Sequence, residues 1–189
     1  MKNKKELRAV CRAKRSSIDN KEEKNSAILS RILENPRVRE ADALFIFYPL
    51  KDEVNLLPLM DYAKETGKKI AFPLCTDKDG SMRFCAVGRL DELTDGYFGL
   101  REPSKDAPEI LPRNAVIFLP ALAIDKKGYR LGYGKGYYDR YLAKYADLKP
   151  FTVGVIYEEL IVDGLPHDEY DLPCDTVVSE DGIINGLAR

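Results

Sequence analysis

The chain has 189 residues, 44% hydrophobic and 32% charged, which suits one folded domain over residues 1–189 and excludes a disordered or fibrous polymer. With 30 basic and 31 acidic residues the net charge is −1, so no overall cationic excess favours a nucleic-acid backbone, and any anion must be held by local charge. No apolar run reaches the roughly 18 residues of a membrane span, and no hydrophobic signal segment opens the chain. The four cysteines form no C-x-x-C and the single histidine cannot complete a zinc cluster with them. A reduced, cytoplasmic protein is expected, without membrane or nucleic-acid partners.

Taken in chain order, Lys4 to Lys14 and Lys21 to Glu34 read as helices separated by Ser16-Ser17-Ile18-Asp19. Asp19 or Asn20 is placed to cap the second, and Pro36 follows its end. Lys4, Arg8 and Arg12 recur every four residues and so share a face of the first helix, either a phosphate clamp or a solvated stripe. The pattern then turns α/β: strand Ala43 to Tyr48, helix Leu56 to Thr66 closed by Gly67, and strand Lys69 to Leu74, a parallel crossover unit. Tyr48 and Glu53 follow the first strand, where an α/β sheet presents ligand contacts.

After a turn at Thr76 to Gly80 and a strand Met82 to Val87 comes a long irregular stretch holding Gly96, Gly99 and three prolines. It reads either as a binding loop or as a solvated excursion. Strand Ala115 to Leu119 leads to the glycine-rich segment, helix Tyr137 to Tyr145, strand Phe151 to Tyr157 and a last strand Thr176 to Ser179. Strands alternating with helices predict a three-layer αβα fold with a mostly parallel sheet that binds its ligand at the carboxyl ends of the strands.

The segment Arg130-Leu-Gly-Tyr-Gly-Lys-Gly-Tyr-Tyr-Asp139 carries the clearest chemistry. Gly132, Gly134 and Gly136 allow close backbone approach, the helix starting near Tyr137 offers free amides and a positive dipole end, and Arg130 and Lys135 add mobile cations, which together suit phosphate. The spacing is neither a Walker A loop nor the dinucleotide fingerprint. Asp139 beside a phosphate either holds Mg²⁺ or stabilises the helix dipole.

Taken together, Asp125-Lys-Lys-Gly-Tyr-Arg-Leu-Gly-Tyr-Gly-Lys-Gly-Tyr-Tyr-Asp-Arg140, with Lys4-Lys-Glu-Leu-Arg8, Tyr48-Pro, Glu53, Gly67 to Pro73 and Leu172-Pro-Cys-Asp175, closely resembles the 5-formyltetrahydrofolate cyclo-ligase family. The resemblance implies a fold like that of sugar-phosphate isomerases and CoA transferases (NagB/RpiA/CoA transferase-like). It also implies ATP-driven closure of 5-formyltetrahydrofolate to 5,10-methenyltetrahydrofolate, releasing ADP and phosphate, by a cytoplasmic monomer. It places Lys4, Arg8 and Arg130, Leu131, Gly132, Tyr133, Gly134, Lys135, Gly136, Tyr137 and Tyr138 on ATP. Tyr48, Glu53 and the run Tyr133 to Tyr137 fall on the folate, Mg²⁺ on Asp139 and Asp175, and catalysis on Arg130 and Lys135. Tyr170 and Asn55 depart from the family's commoner histidine and threonine. A small-molecule kinase and a catalytically silent binding module are the competing readings; a kinase would leave phosphate on its substrate, and a silent module would bind without ATP turnover.

Overall fold

The structure is a computed structural model that describes residues 4–185; the side chain of Phe98 also lies outside the described part. Two helices open it, α1 (Lys4–Ser16) and α2 (Lys21–Glu34). Asn20 occupies the cap position of α2 in a left-handed conformation (φ 55°) and makes no side-chain cap, contrary to the sequence expectation. Pro36 does more than follow that helix. It sits at the start of a further helix, α3 (Pro36–Glu40), where its missing N–H costs nothing and Asn35 caps the amide of Arg37.

The centre is a seven-stranded sheet. Its strands are β1 (Ala43–Phe45), β2 (Lys69–Cys75), β3 (Met82–Ala86), β6 (Ala115–Leu119), β9 (Phe151–Val155), β11 (Thr176–Val178) and β12 (Ile183–Asn185), in the order β12-β11-β9-β6-β1-β2-β3. The five inner strands run parallel, and β3 and β12 close the two edges antiparallel. The sequence showed the parallel core but not β12, whose short run Ile183–Asn185 is half exposed and carries no strong strand pattern. Continuous burial of Ala43–Phe45 and Ala115–Leu119 fits strands covered on both faces. Helix α4 (Leu59–Thr66) packs on β2 and ends at left-handed Gly67 (φ 71°).

β1 and β9 stop two or three residues before their apolar runs end, because the chain leaves the sheet at the carboxyl edge. Phe47, Tyr48 and Pro120, the residues just beyond β1 and β6, become walls of a cleft there. The long stretch after β3 is not structureless. It folds into a hairpin of β4 (Leu93–Asp95) and β5 (Arg101–Pro103) docked against β2. A second small sheet, β10-β7-β8, pairs β7 (Ala123–Asp125) with β8 (Arg130–Leu131) and β10 (Ile161–Val162).

Helix α5 (Tyr137–Lys144) is pinned to β3 by its apolar face. Tyr141 sets its ring edge-on against Phe84 at 5.0 Å, and Phe84 in turn meets Phe45 at 4.7 Å. This stack runs from β1, inside the sheet, to α5 and so holds the helix in place. On the other side of the sheet centre, β9 depends on a residue without a side chain: a Cβ at Gly154 would lie 2.6 Å from Ile124 Cδ1 and 2.9 Å from Cys174 Sγ. Gly154→Ala should therefore lose roughly 1–3 kcal/mol through overpacking. Urea unfolding at unchanged m-value measures this, and an unaltered midpoint would show that the β9 surroundings yield freely.

Candidate active site

A cleft of about 860 Å³ lies at the carboxyl ends of β1, β2 and β6, between α1, the glycine segment and the β4–β5 hairpin. The glycine segment is prepared by the turn before it. Asp125, buried, accepts the amides of Lys127 and Tyr129 with one carboxylate oxygen and that of Leu165 with the other, so the first half of the signature is structural. Gly134 (φ 101°) and Gly136 (φ 66°) then adopt backbone conformations that side chains resist, and Gly136 caps α5. A Cβ at Gly134 would lie 3.0 Å from the Arg8 guanidinium, whose Nε donates to Gly132 O at 2.8 Å. Lys135 is exposed beside this turn and forms no ion pair among the described residues. Arg8, Lys135 and the amino-terminal end of α5 thus share one stretch of the cleft wall, of the kind that suits an anion.

Arg140 braces that turn from outside. Its guanidinium donates to the carbonyls of Asp79, Gly80 and Lys135, and Tyr137 Oη donates to Asp77 O at 2.7 Å, clasping the β2–β3 turn to the glycine segment. The turn itself is held by Asp77, which accepts the amides of Asp79, Gly80 and Ser81. Hydrogen bonding, first from the Ser81 side chain, brings its pKa down to about 2.

All three members of the stripe read from α1 line the cleft, and Arg15 continues it one turn further. Arg15 Nη1 donates to Tyr133 Oη at 2.9 Å and lies 3.3 Å from Glu53 Oε1, with the two charged side chains only 8% and 6% exposed. Tyr133 also donates to Glu53 Oε1, and the Leu50 amide satisfies Oε2 at 2.8 Å. Burial, followed by the Glu53 charge, raises the Tyr133 pKa, so it stays a protonated donor. Arg12 stacks its guanidinium over the same Tyr133 ring at 5.7 Å.

The residues expected to act as mobile cations and metal ligands divide differently. Arg130 is not mobile: its side chain is 5% exposed, Nη2 holds Asp139 Oδ1 at 2.6 Å, and Nη1 donates to Leu172 O. Leu172 N also donates to Asp139 Oδ1, leaving Oδ2 without a hydrogen bond among the described residues. A cleft carboxylate with an oxygen left over fits Mg²⁺, which commonly takes one or two carboxylates and fills its shell with phosphate and water. Asp175 does not line the cleft. Its Oδ2 accepts the Thr152 amide at 2.7 Å and hydroxyl at 2.8 Å, at the amino-terminal end of β9, away from the strand exits that form the cleft. Among the described residues no group of three or more His, Cys, Asp or Glu side chains gathers around one metal position.

Leu131 is buried in the small sheet and Tyr138 packs on the core near Phe84, both bordering the cleft. Tyr48 stands at the cleft wall. Cys75, also lining it, is no nucleophile: burial, then Glu102, pushes its thiol to about 12. His167 stacks on Tyr129 at 3.6 Å and is not among the cleft residues.

A model of the 5-formyltetrahydrofolate cyclo-ligase family matches residues 1–180. The chain belongs to that family. The 5-formyltetrahydrofolate cyclo-ligase of Escherichia coli K12 is 29% identical over 164 residues, covering 85% of this chain and 90% of that protein. The mouse cyclo-ligase is 27% identical over 187 residues, covering 93% and 92%. The solved structure of the Aquifex aeolicus 5,10-methenyltetrahydrofolate synthetase superposes with TM-score 0.81 at 30% identity, covering 98% of this chain and 93% of that one. The Mycoplasma pneumoniae 5,10-methenyltetrahydrofolate synthetase shares the fold at TM-score 0.75 and 21% identity. No helix among the described residues is long and apolar enough to cross a membrane.

Within this cyclo-ligase fold, sequence reasoning missed Arg15, Arg101, Arg140 and Asp171. Arg15 was legible only through its i+3 spacing from Arg12, which keeps it on the same helix face, because the strict four-residue step falls on Ser16; the others meet the site through contacts with residues outside their own element. Asp171 bonds Lys4 at 2.6 Å. Burial works against both charges, but the pairing outweighs it, holding Asp171 below the usual carboxylate value and Lys4 above the usual amine value. The pair's stabilisation is therefore complete between about pH 5 and pH 9, fading as pH falls through the depressed Asp171 pKa or rises through the elevated Lys4 pKa. Asp171→Asn should lower the denaturant midpoint by a gap that is constant across that window and closes below about pH 4. A gap persisting unchanged to pH 2 would mean that the loss arises elsewhere.

Proposed function

We propose that this chain closes 5-formyltetrahydrofolate to 5,10-methenyltetrahydrofolate with ATP as phosphoryl donor and Mg²⁺ as its counter-ion. The observation that carries this reading is the continuity of the cleft: the glycine turn with Arg8 and Lys135 passes through Tyr133 directly into the buried Glu53–Arg15 cluster. A phosphate-sized site and a site for a flat, amino-bearing heterocycle share one wall, as transfer between them requires.

The formyl oxygen of the folate attacks the γ-phosphorus, the bond to the bridging oxygen breaks, and ADP leaves. The neighbouring N10 then attacks the activated carbon. Phosphate departs carrying the former formyl oxygen, N10 loses its proton to water, and the ring closes. Lys135, Arg8 and the first amides of α5 meet the charge that develops on the transferring group. Arg130 acts through Asp139, holding Oδ1 and leaving Oδ2 to a cation that would bind there. Magnesium bound there would neutralise charge across the phosphates. Lys4 contributes to the phosphate end in its pairing with Asp171. Glu53, held from three sides, accepts hydrogen bonds from the heterocycle, and Tyr48 flanks it. No nucleophilic side chain is needed, in keeping with the neutral Cys75 thiol.

Purified protein with Mg-ATP and 5-formyltetrahydrofolate should develop the methenyl chromophore and release phosphate in equal amounts. Phosphate transfer to a stable product without the chromophore would instead mean a kinase. Lys135→Ala should lower kcat by about a hundredfold with folate binding largely retained, the pattern of lost transition-state stabilisation. An unchanged kcat would remove Lys135 from the chemistry. Gly134→Ala, strained at φ 101° and crowding Arg8, should raise KM for ATP while leaving KM for folate near its original value, as steady-state kinetics with each substrate varied will show.

A further inference from the structure

Of the cations that line the cleft, Arg12 lies over the Tyr133 ring and Lys51 is an exposed side chain on the loop after β1; the others are held by partners or by the glycine turn, with one exception. Lys4 is paired with Asp171, Arg130 with Asp139 and Arg15 with Glu53, while Arg8 and Lys135 flank the glycine turn. Arg101 stands apart from them. It comes from β5, in the hairpin that forms a separate part of the cleft wall, and its guanidinium carbon lies 6.0 Å over the centre of the Tyr48 ring.

Arg101 is a held side chain rather than a loose surface one. Nη2 donates to Leu93 O across the hairpin, and the next residue, Glu102, is buried with its carboxylate on the Cys75 amide. Yet its hydrogen-bonding capacity is largely unused. Nε is buried without a partner, and no carboxylate lies within ion-pair distance among the described residues. Nε is closed off by protein, so the donors left for a ligand are those of Nη1 and the second hydrogen of Nη2, and a guanidinium in the cleft wall with no counter-charge is matched by an anionic acceptor arriving with the ligand.

The chemistry of the folate identifies that acceptor, on the reading that the chain is a cyclo-ligase. The pteridine, formyl and aminobenzoyl groups are uncharged; the molecule's full negative charges are the two carboxylates of its glutamate. Tyr48 beneath the guanidinium offers a face for the aminobenzoyl ring that immediately precedes them. We infer that Arg101, carried on the β4–β5 hairpin over Tyr48, binds a glutamate carboxylate of the folate substrate and so selects for glutamate-bearing folates.

The test compares wild type and Arg101→Met on 5-formyltetrahydrofolate and on 5-formyltetrahydropteroate, which lacks the glutamate. Arg101→Met should raise KM for 5-formyltetrahydrofolate by about tenfold, the size of one lost charged hydrogen bond, with KM for ATP within about twofold of wild type. On the pteroate the two proteins should be equal, and that turnover also shows that the variant is folded. Arg101→Lys should recover only part of the loss, because it restores the charge without the planar fork. Equal losses on both substrates, or no loss on either, would overturn the assignment while leaving the reaction standing. A wild-type chain that forms no methenyl product at all would overturn the reaction itself, and this inference with it.

Discussion

The site depends on a buried charge pair. Arg15 from α1 and Glu53 from the exit of β1 lie almost wholly out of water, and Tyr133 from the glycine segment donates into the same carboxylate oxygen. Removing two charges from water is expensive and is offset only when their remaining hydrogen-bonding capacity is met, which is what Tyr133 and the Leu50 amide accomplish. Leaving either charge without its partner would cost about 3–5 kcal/mol by the usual behaviour of such pairs. Three segments distant in sequence are thereby locked at one point of the cleft wall. The relation between α1, the exit of β1 and the glycine segment is thus set by electrostatics as well as by the sheet beneath.

A similar economy of charge governs the glycine-segment end of the cleft. The sequence places two cations, Arg130 and Lys135, in one glycine-rich run, and nothing local distinguishes them. The fold does. Arg130 is drawn inward by Asp139 and the Leu172 carbonyl and becomes a strut, whereas Lys135 stays exposed at the tip. Asp139 and Asp175 diverge for a like reason. Asp139 stands in the first turn of α5 at the cleft, while Asp175 precedes a parallel strand and therefore lies at the end of the sheet away from the strand exits, bonded to Thr152.

Much of the architecture was legible because it is written locally. Apolar runs bounded by glycine and proline marked the parallel strands, and the four-residue spacing of Lys4, Arg8 and Arg12 marked the face of α1 that lines the cleft. The parts that escaped were long-range. The β4–β5 hairpin is built of three-residue strands whose pairing depends on docking against β2, and neither Arg101 nor Arg140 has a sequence neighbour that announces its role. Asn20 escaped for a subtler reason: a residue type suited to capping can serve instead through its tolerance of left-handed backbone.

The contacts of α1 carry a last consequence, for what part of the chain can assemble without the rest. Arg15 bonds Tyr133 across 118 positions, Arg8 bonds Gly132 across 124, and Lys4 bonds Asp171 across 167. The face of α1 that lines the cleft is therefore completed by segments far along the chain. A chain cut short before Gly132 would keep this helix yet leave it without Gly132, Tyr133 and Asp171, the partners that join it to the rest of the cleft wall.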